Sequence, residues 1–132
     1  MNEELLRHHL AIIEQRWPRL AAHLTMAQLG DLQVELCEGI SSTLLVNGIQ
    51  LTSRHDRGAE AELQAATLPD VPVLHLYGTG LGDLQKVLLA RPRLETLHVH
   101  IMHHNLFTLV LALLEHDEWL QDPRVELSLA AD

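Results

Sequence analysis

Apolar positions recur at helical spacing in the first thirty residues, then at spacing two, then in short blocks that alternate with helical stretches. From about residue 3 to 16, Leu5, Leu6, Leu10, Ile12 and Ile13 form one stripe while Glu3, Glu4, Arg7 and Glu14 fill the other positions. That pattern predicts an amphipathic helix. Trp17-Pro18 ends it, because the residue before a proline is pushed out of the helical region. A second short helix is expected over Arg19 to Leu29, with Gly30 suited to its C-terminal cap.

From Asp31 the period becomes two. Leu32, Val34 and Leu36 alternate with Gln33 and Glu35, as in a half-exposed strand. The runs 42–46 and 49–52 flank Asn47-Gly48, the pair favoured in a two-residue hairpin turn, so residues of about 32–52 read as a small antiparallel meander. Ser53-Arg-His-Asp56 resembles a capping box and opens a helix of about ten residues. Beyond Thr67-Leu-Pro-Asp70 the pattern is β-α-β-α-β. Strands are predicted at about 71–77, 95–101 and 124–129, and helices at about 82–90 and 104–120. Alternating strands and helices imply a parallel sheet with right-handed crossovers. The fold class is therefore α/β: a Rossmann-like partial parallel sheet preceded by N-terminal helices and the meander. We find no internal repeat. The expectation is one domain over 1–132, with 1–70 as lead-in and 71–132 as the βαβαβ unit, and with the sheet belonging to a longer protein.

Composition narrows the partners. The 132 residues carry a net charge of −9, from 9 basic and 18 acidic side chains. A nucleic-acid backbone or an anionic membrane surface attracts a basic protein, so neither is expected as the main partner. The single cysteine, Cys37, leaves no internal disulfide and suits a reducing compartment, so a cytoplasmic location is expected. No run of about 18 apolar residues is present to cross a bilayer.

Four constellations are candidates for chemistry. The first is Val71-Pro-Val-Leu-His-Leu-Tyr-Gly-Thr-Gly-Leu-Gly-Asp83, an apolar strand running into glycines at alternate positions. Such a turn lets backbone approach a ligand at a helix N-terminus. The spacing G-x-G-x-G is closer to the first motif of S-adenosylmethionine-dependent methyltransferases than to the dinucleotide fingerprint. Leu76 stands where those enzymes carry an acid, and the second strand ends at Ile101 without the carboxylate that bonds a ribose. Gly78, Thr79, Gly80, Gly82 and Asp83 are the ligand-binding candidates; the alternative is that the glycines only permit a tight turn. The second is histidine. His98 and His100 share one face of a strand, and His75 on its neighbour shares it too. Three imidazoles are weak candidates for a metal site; the alternative is a polar face on which they bond to one another. The third is Asp56 with Glu60, four apart on one helix face, either facing a ligand or pairing with Arg54 and Arg57. The fourth is the stretch 106–114, apolar nearly all round, which predicts a helix of 104–120 shared with a further domain or a second copy.

Three stretches together resemble the N-terminal region of the motility accessory factor family, which takes part in flagellin glycosylation and is related to 6-hydroxymethylpterin diphosphokinases. They are the Leu-rich start ending in Arg16-Trp17-Pro18, the segment Leu51-Thr-Ser-Arg-His-Asp56-Arg-Gly-Ala-Glu60-Ala61, and Leu76-Tyr-Gly78-Thr-Gly80-Leu-Gly82. Arg57 stands where that family has a proline, and Ile101 where it has a glutamate. The resemblance implies a fuller protein that transfers a nonulosonic sugar from a nucleotide carrier to flagellin, with the transfer chemistry in a later domain. This chain would then be a non-catalytic N-terminal domain, with a nucleotide sugar as its ligand. The alternatives are a small S-adenosylmethionine- or nucleotide-binding enzyme, or a Rossmann-like protein-interaction module. The residues themselves name no cofactor.

Overall fold

The computed structural model describes residues 2–25 and 57–130, and the backbone of three short strands at 34–37, 43–46 and 49–50. Helix α1 (Glu3–Arg16) starts where the Asn2 side chain accepts a hydrogen bond from the Leu5 amide at 3.0 Å, filling one of the open donors of a first turn. Trp17 leaves the helical region, and α2 (Pro18–Thr25) begins with proline at its first position, where a missing N–H costs nothing. Strands β1 (Val34–Cys37), β2 (Thr43–Val46) and β3 (Ile49–Gln50) pair antiparallel in chain order, with Val34 opposite Val46 and Val46 opposite Ile49. The expected turn at Asn47-Gly48, the continuation of the second helix to Leu29, and the helix start at 53–56 lie outside the described residues.

Helix α3 (Arg57–Ala66) leads into the second half of the chain. There β4 (Val73–Tyr77), α4 (Asp83–Leu89), β5 (Thr96–Ile101), α5 (His104–Leu111), α6 (Asp117–Gln121) and β6 (Val125–Leu129) follow one another. The three strands are parallel and lie in the order β4-β5-β6. The chain is thus α/β, with a three-stranded parallel sheet and helices. No described helix is long and apolar enough to cross a membrane.

The expected helix of 104–120 is instead two helices, α5 and α6. The break falls before His116, whose backbone amide donates to His9 Nε2 at 3.0 Å rather than to the carbonyl one turn back. Phe107 to Leu111 are buried in this chain's own core. The apolar helix is therefore sandwiched inside the domain, and its surface is not the open one.

Side chains alternate across the sheet. Leu74, Leu76, Leu97, Val99, Ile101, Val125 and Leu127 are buried on one face. They join a single cluster with Ile13 of α1, Leu24 of α2, Leu88 of α4, Phe107 of α5 and Trp119 of α6. Every helix that contributes to this cluster therefore lies on the same side. The opposite face carries Val73, His75, Tyr77, Thr96, His98, His100, Glu126 and Ser128, all exposed or half-buried. Parallel sheets usually have both faces covered; here, among the described residues, no helix covers the second face.

Register also reveals a repeat that the linear sequence hides. Pro69-Asp-Val-Pro-Val-Leu-His-Leu76 and Pro92-Arg-Leu-Glu-Thr-Leu-His-Val99 match in kind at five of eight positions, and the pairing sets Leu74 beside Leu97, His75 beside His98 and Leu76 beside Val99. Each unit places an apolar side chain inward and a histidine outward.

Arginines close the helix ends. Arg16 donates to the carbonyls of Leu120, Asp122 and Val125 at 2.6, 3.0 and 2.8 Å. Arg91 donates to the Ala65 and Pro69 carbonyls at 2.6 and 2.8 Å, and Arg124 to the Leu89 carbonyl at 2.7 Å. The last carbonyls of a helix lack internal partners and carry the negative end of its dipole, so each guanidinium ties one helix end to its neighbour.

Candidate functional site

The glycine turn leaves the C-terminal end of β4 and enters α4. Gly78, Gly80 and Gly82 have φ of 108°, 51° and 93°, a region that L side chains enter only at a cost. Glycine is needed at Gly82 for a second reason. A Cβ there would sit 2.8 Å from His116 Nδ1 and 3.1 Å from Trp119 Nε1. A Cβ on Gly78 or Gly80 would meet nothing within 4 Å. The turn is also bonded internally. The Gly78 amide donates to the His100 carbonyl at 2.8 Å, the Gly82 amide to the Thr79 carbonyl at 3.3 Å, and the buried Gln85 side chain to the same Thr79 carbonyl at 2.8 Å.

Beside the turn lies a cavity of about 230 Å³. Gly78, Thr79, Gly80, Gly82, Asp83 and Glu60 all line it, so the structure gathers these six candidates at one place. Asp56 lies outside the described residues. Among the described residues the lining includes two carboxylates, from Glu60 and Asp83, and no lysine or arginine. Leu76 and Ile101 are both buried on the helical side of the sheet. The two positions where a nucleotide site would want an acid thus hold core residues.

The histidines occupy the open face as a row of stacked rings. His98 lies on His75 with centroids 4.4 Å apart, His75 on His100 at 5.3 Å, and His100 on Tyr77 at 4.6 Å, all within 11° of parallel. His75 Nδ1 and His100 Nε2 are 3.0 Å apart, and Ser128 Oγ is 3.3 Å from His100 Nδ1. A chain in either direction satisfies both contacts: Ser128 donates to His100 and His100 to His75, or His75 donates to His100 and His100 to Ser128. Partial dehydration between the rings, then the neighbouring His98 and His100, hold the His75 pKa below its usual value. Among the described residues no group of three or more His, Cys, Asp or Glu has a geometry that could hold a metal ion.

A buried polar network behind the turn was not legible in the sequence. His9 Nδ1 donates to the Leu111 carbonyl at 2.7 Å, its Nε2 accepts from the His116 amide, and Trp119 Nε1 donates to His116 Nδ1 at 2.9 Å. Asp117 faces His8 at 2.7 Å and His9 at 3.0 Å. Burial opposes ionisation of Asp117, yet the hydrogen bond and charge of His8 outweigh it and hold its carboxyl below the usual range. Through His116 and Trp119 this network presses on Gly82. The only sequence signal was His9 falling in the apolar stripe of α1.

Comparison with family models and with curated proteins gives no match for this chain.

Proposed function

We propose that the chain is a non-catalytic binding domain, a Rossmann-like half sheet of motility-accessory type that holds another polypeptide rather than a nucleotide. The observation that carries this reading is the one-sided sheet. In a doubly wound fold, the first βαβαβ half runs its right-handed crossovers in one direction and so covers one face; the second half covers the other. The order β4-β5-β6 and the single helical layer have the form of such a first half. Its open face is then a surface for a further protein element.

The glycine turn supports the same reading. Its bends serve the fit of Gly82 against His116 and Trp119, and two of its amides are spent within the protein. The adjacent cavity is smaller than the roughly 300–1,000 Å³ of most small-molecule sites. The family resemblance adds what the larger protein would be, a flagellin-glycosylation enzyme whose transfer chemistry lies elsewhere.

The test is titration calorimetry of the purified chain with cytidine and uridine nucleotides, nucleotide sugars, S-adenosylmethionine and divalent metals. The expected result is no saturable heat from any of them. Saturable binding that disappears in Gly80→Val would instead make the turn a ligand site and overturn the proposal.

A further inference from the structure

The two edges of the parallel sheet are treated differently. At β6, Arg16 bonds the Val125 carbonyl and Trp17 reaches Glu126 at 3.5 Å, so α1 and the start of α2 guard that edge. At β4, no described strand pairs with the outer edge. Proteins blunt a free edge with charged side chains, bulges or a covering element. β4 reads Val-Leu-His-Leu-Tyr and has no acidic or basic charge, although the chain as a whole carries −9.

Two exposed apolar side chains stand on the same strand. Among the described residues the large exposed hydrophobics are Leu63, Val73, Tyr77 and Met102. Val73 and Tyr77 stand on β4, at 48% and 71% exposure. Leu63 is on α3, which packs on α4, and Met102 follows β5. On the inner face, Leu74 and Leu76 keep 7% and 8% exposure, whereas Leu97 and Val99 of the central strand keep none. The inner face of β4 is thus buried slightly less completely than that of the central strand.

We propose that the β4 edge pairs with the β4 edge of a second copy of this chain, antiparallel about a two-fold axis through His75, to make one six-stranded sheet. This rests on the binding-domain reading above and adds a second contact, at the β4 edge, that leaves the open face free. The strand is self-complementary in that register. A two-fold contact sets residue i against j and j against i. Centring on His75 puts Val73 opposite Tyr77 of the partner copy and Leu74 opposite Leu76 of the partner copy. The first pair joins an aliphatic to an aromatic side chain on the open face, a favourable cross-strand combination. The second extends the buried layer. With no acidic or basic charge on either strand, two molecules of net −9 meet at an uncharged patch.

Sedimentation equilibrium of the full chain tests this, with two double variants that also fix the register. The wild type is expected at twice the 14.8 kDa chain mass. Val73→Lys with Tyr77→Lys sets like charges opposite each other and is expected to halve the mass. Val73→Lys with Tyr77→Glu sets opposite charges face to face and is expected to restore it. Circular dichroism checks that both variants fold; the substituted side chains are solvent-exposed. A wild type that stays at the single-chain mass overturns the dimer, and so does a double-lysine variant that folds and stays dimeric. Neither result touches the calorimetric silence on which the binding-domain reading stands, so the two fail separately. A monomer that also binds a nucleotide would sink both.

Discussion

At the scale of single residues, the three glycines of the turn do unequal work. Gly80 has open space around its missing Cβ and only its backbone angle to protect. Gly80→Ala is therefore expected to cost about 1–2 kcal/mol, the penalty of a left-handed residue. Gly82→Ala adds a collision with the buried His116 and Trp119 rings and is expected to cost roughly 2–4 kcal/mol. Urea unfolding of the two variants checks the order; equal losses would mean that the ring contact is not tight. His75 gives a pH dependence with a definite sign. Its folded pKa is held below the usual 6.5, chiefly by dehydration and then by His98 and His100. The unfolded chain therefore takes the proton first on acidification. The stabilisation is whole above that value and drains away as pH falls through it toward the lower, folded pKa. Thermal midpoints compared at about pH 7.5 and about pH 5.5 should fall in the wild type and fall less in His75→Gln. An equal fall in both would detach the effect from this ring.

At the scale of elements, the pattern of the sequence located most of the frame. The stripe of Leu5, Leu6, Ile12 and Ile13 marks α1, and the neutral run before Gly78 marks β4. Short-range rules suffice there because periodicity and a proline or glycine set each boundary. What escaped depends on contacts between distant residues. The break between α5 and α6 exists because His9 takes the His116 amide, 107 positions away in sequence. The arginines likewise read as surface charge until their carbonyl partners are seen. Arg16 joins α1 to the α6–β6 turn through three carbonyls. Arg16→Met keeps much of the aliphatic stem but leaves those acceptors unmet, and is expected to cost about 2–3 kcal/mol. Arg16→Lys should recover only part of this, since one ammonium cannot reproduce the planar fork. Chemical denaturation of both variants is the check, and full stability in Arg16→Met would show that water replaces the guanidinium without loss.

At the scale of the whole molecule, the candidate site was half legible. Glycine spacing and the acids at 60 and 83 pointed to one place, and the structure gathers them around one cavity. Their consequence was not legible, because the sequence does not show that Leu76 and Ile101 are spent on the core or that Gly82 is pinned by Trp119. The partner surface was expected along 104–120, where apolar content is highest, yet burial consumed that helix and left the sheet's other face and its β4 edge. Apolar content alone does not separate a core helix from a shared one. The sequence also concealed the repeated strand units, since five matching positions out of eight stand out only once the register aligns them.

The central claim is that one face of the sheet is sealed and the other open. Histidine labelling with diethylpyrocarbonate, read residue by residue by mass spectrometry on the native protein, tests it directly. His75, His98 and His100 should be modified well ahead of His9 and His116, which are buried behind the sheet. Protection of all three strand histidines to the level of His9 would mean that both faces are covered, and would contradict the account.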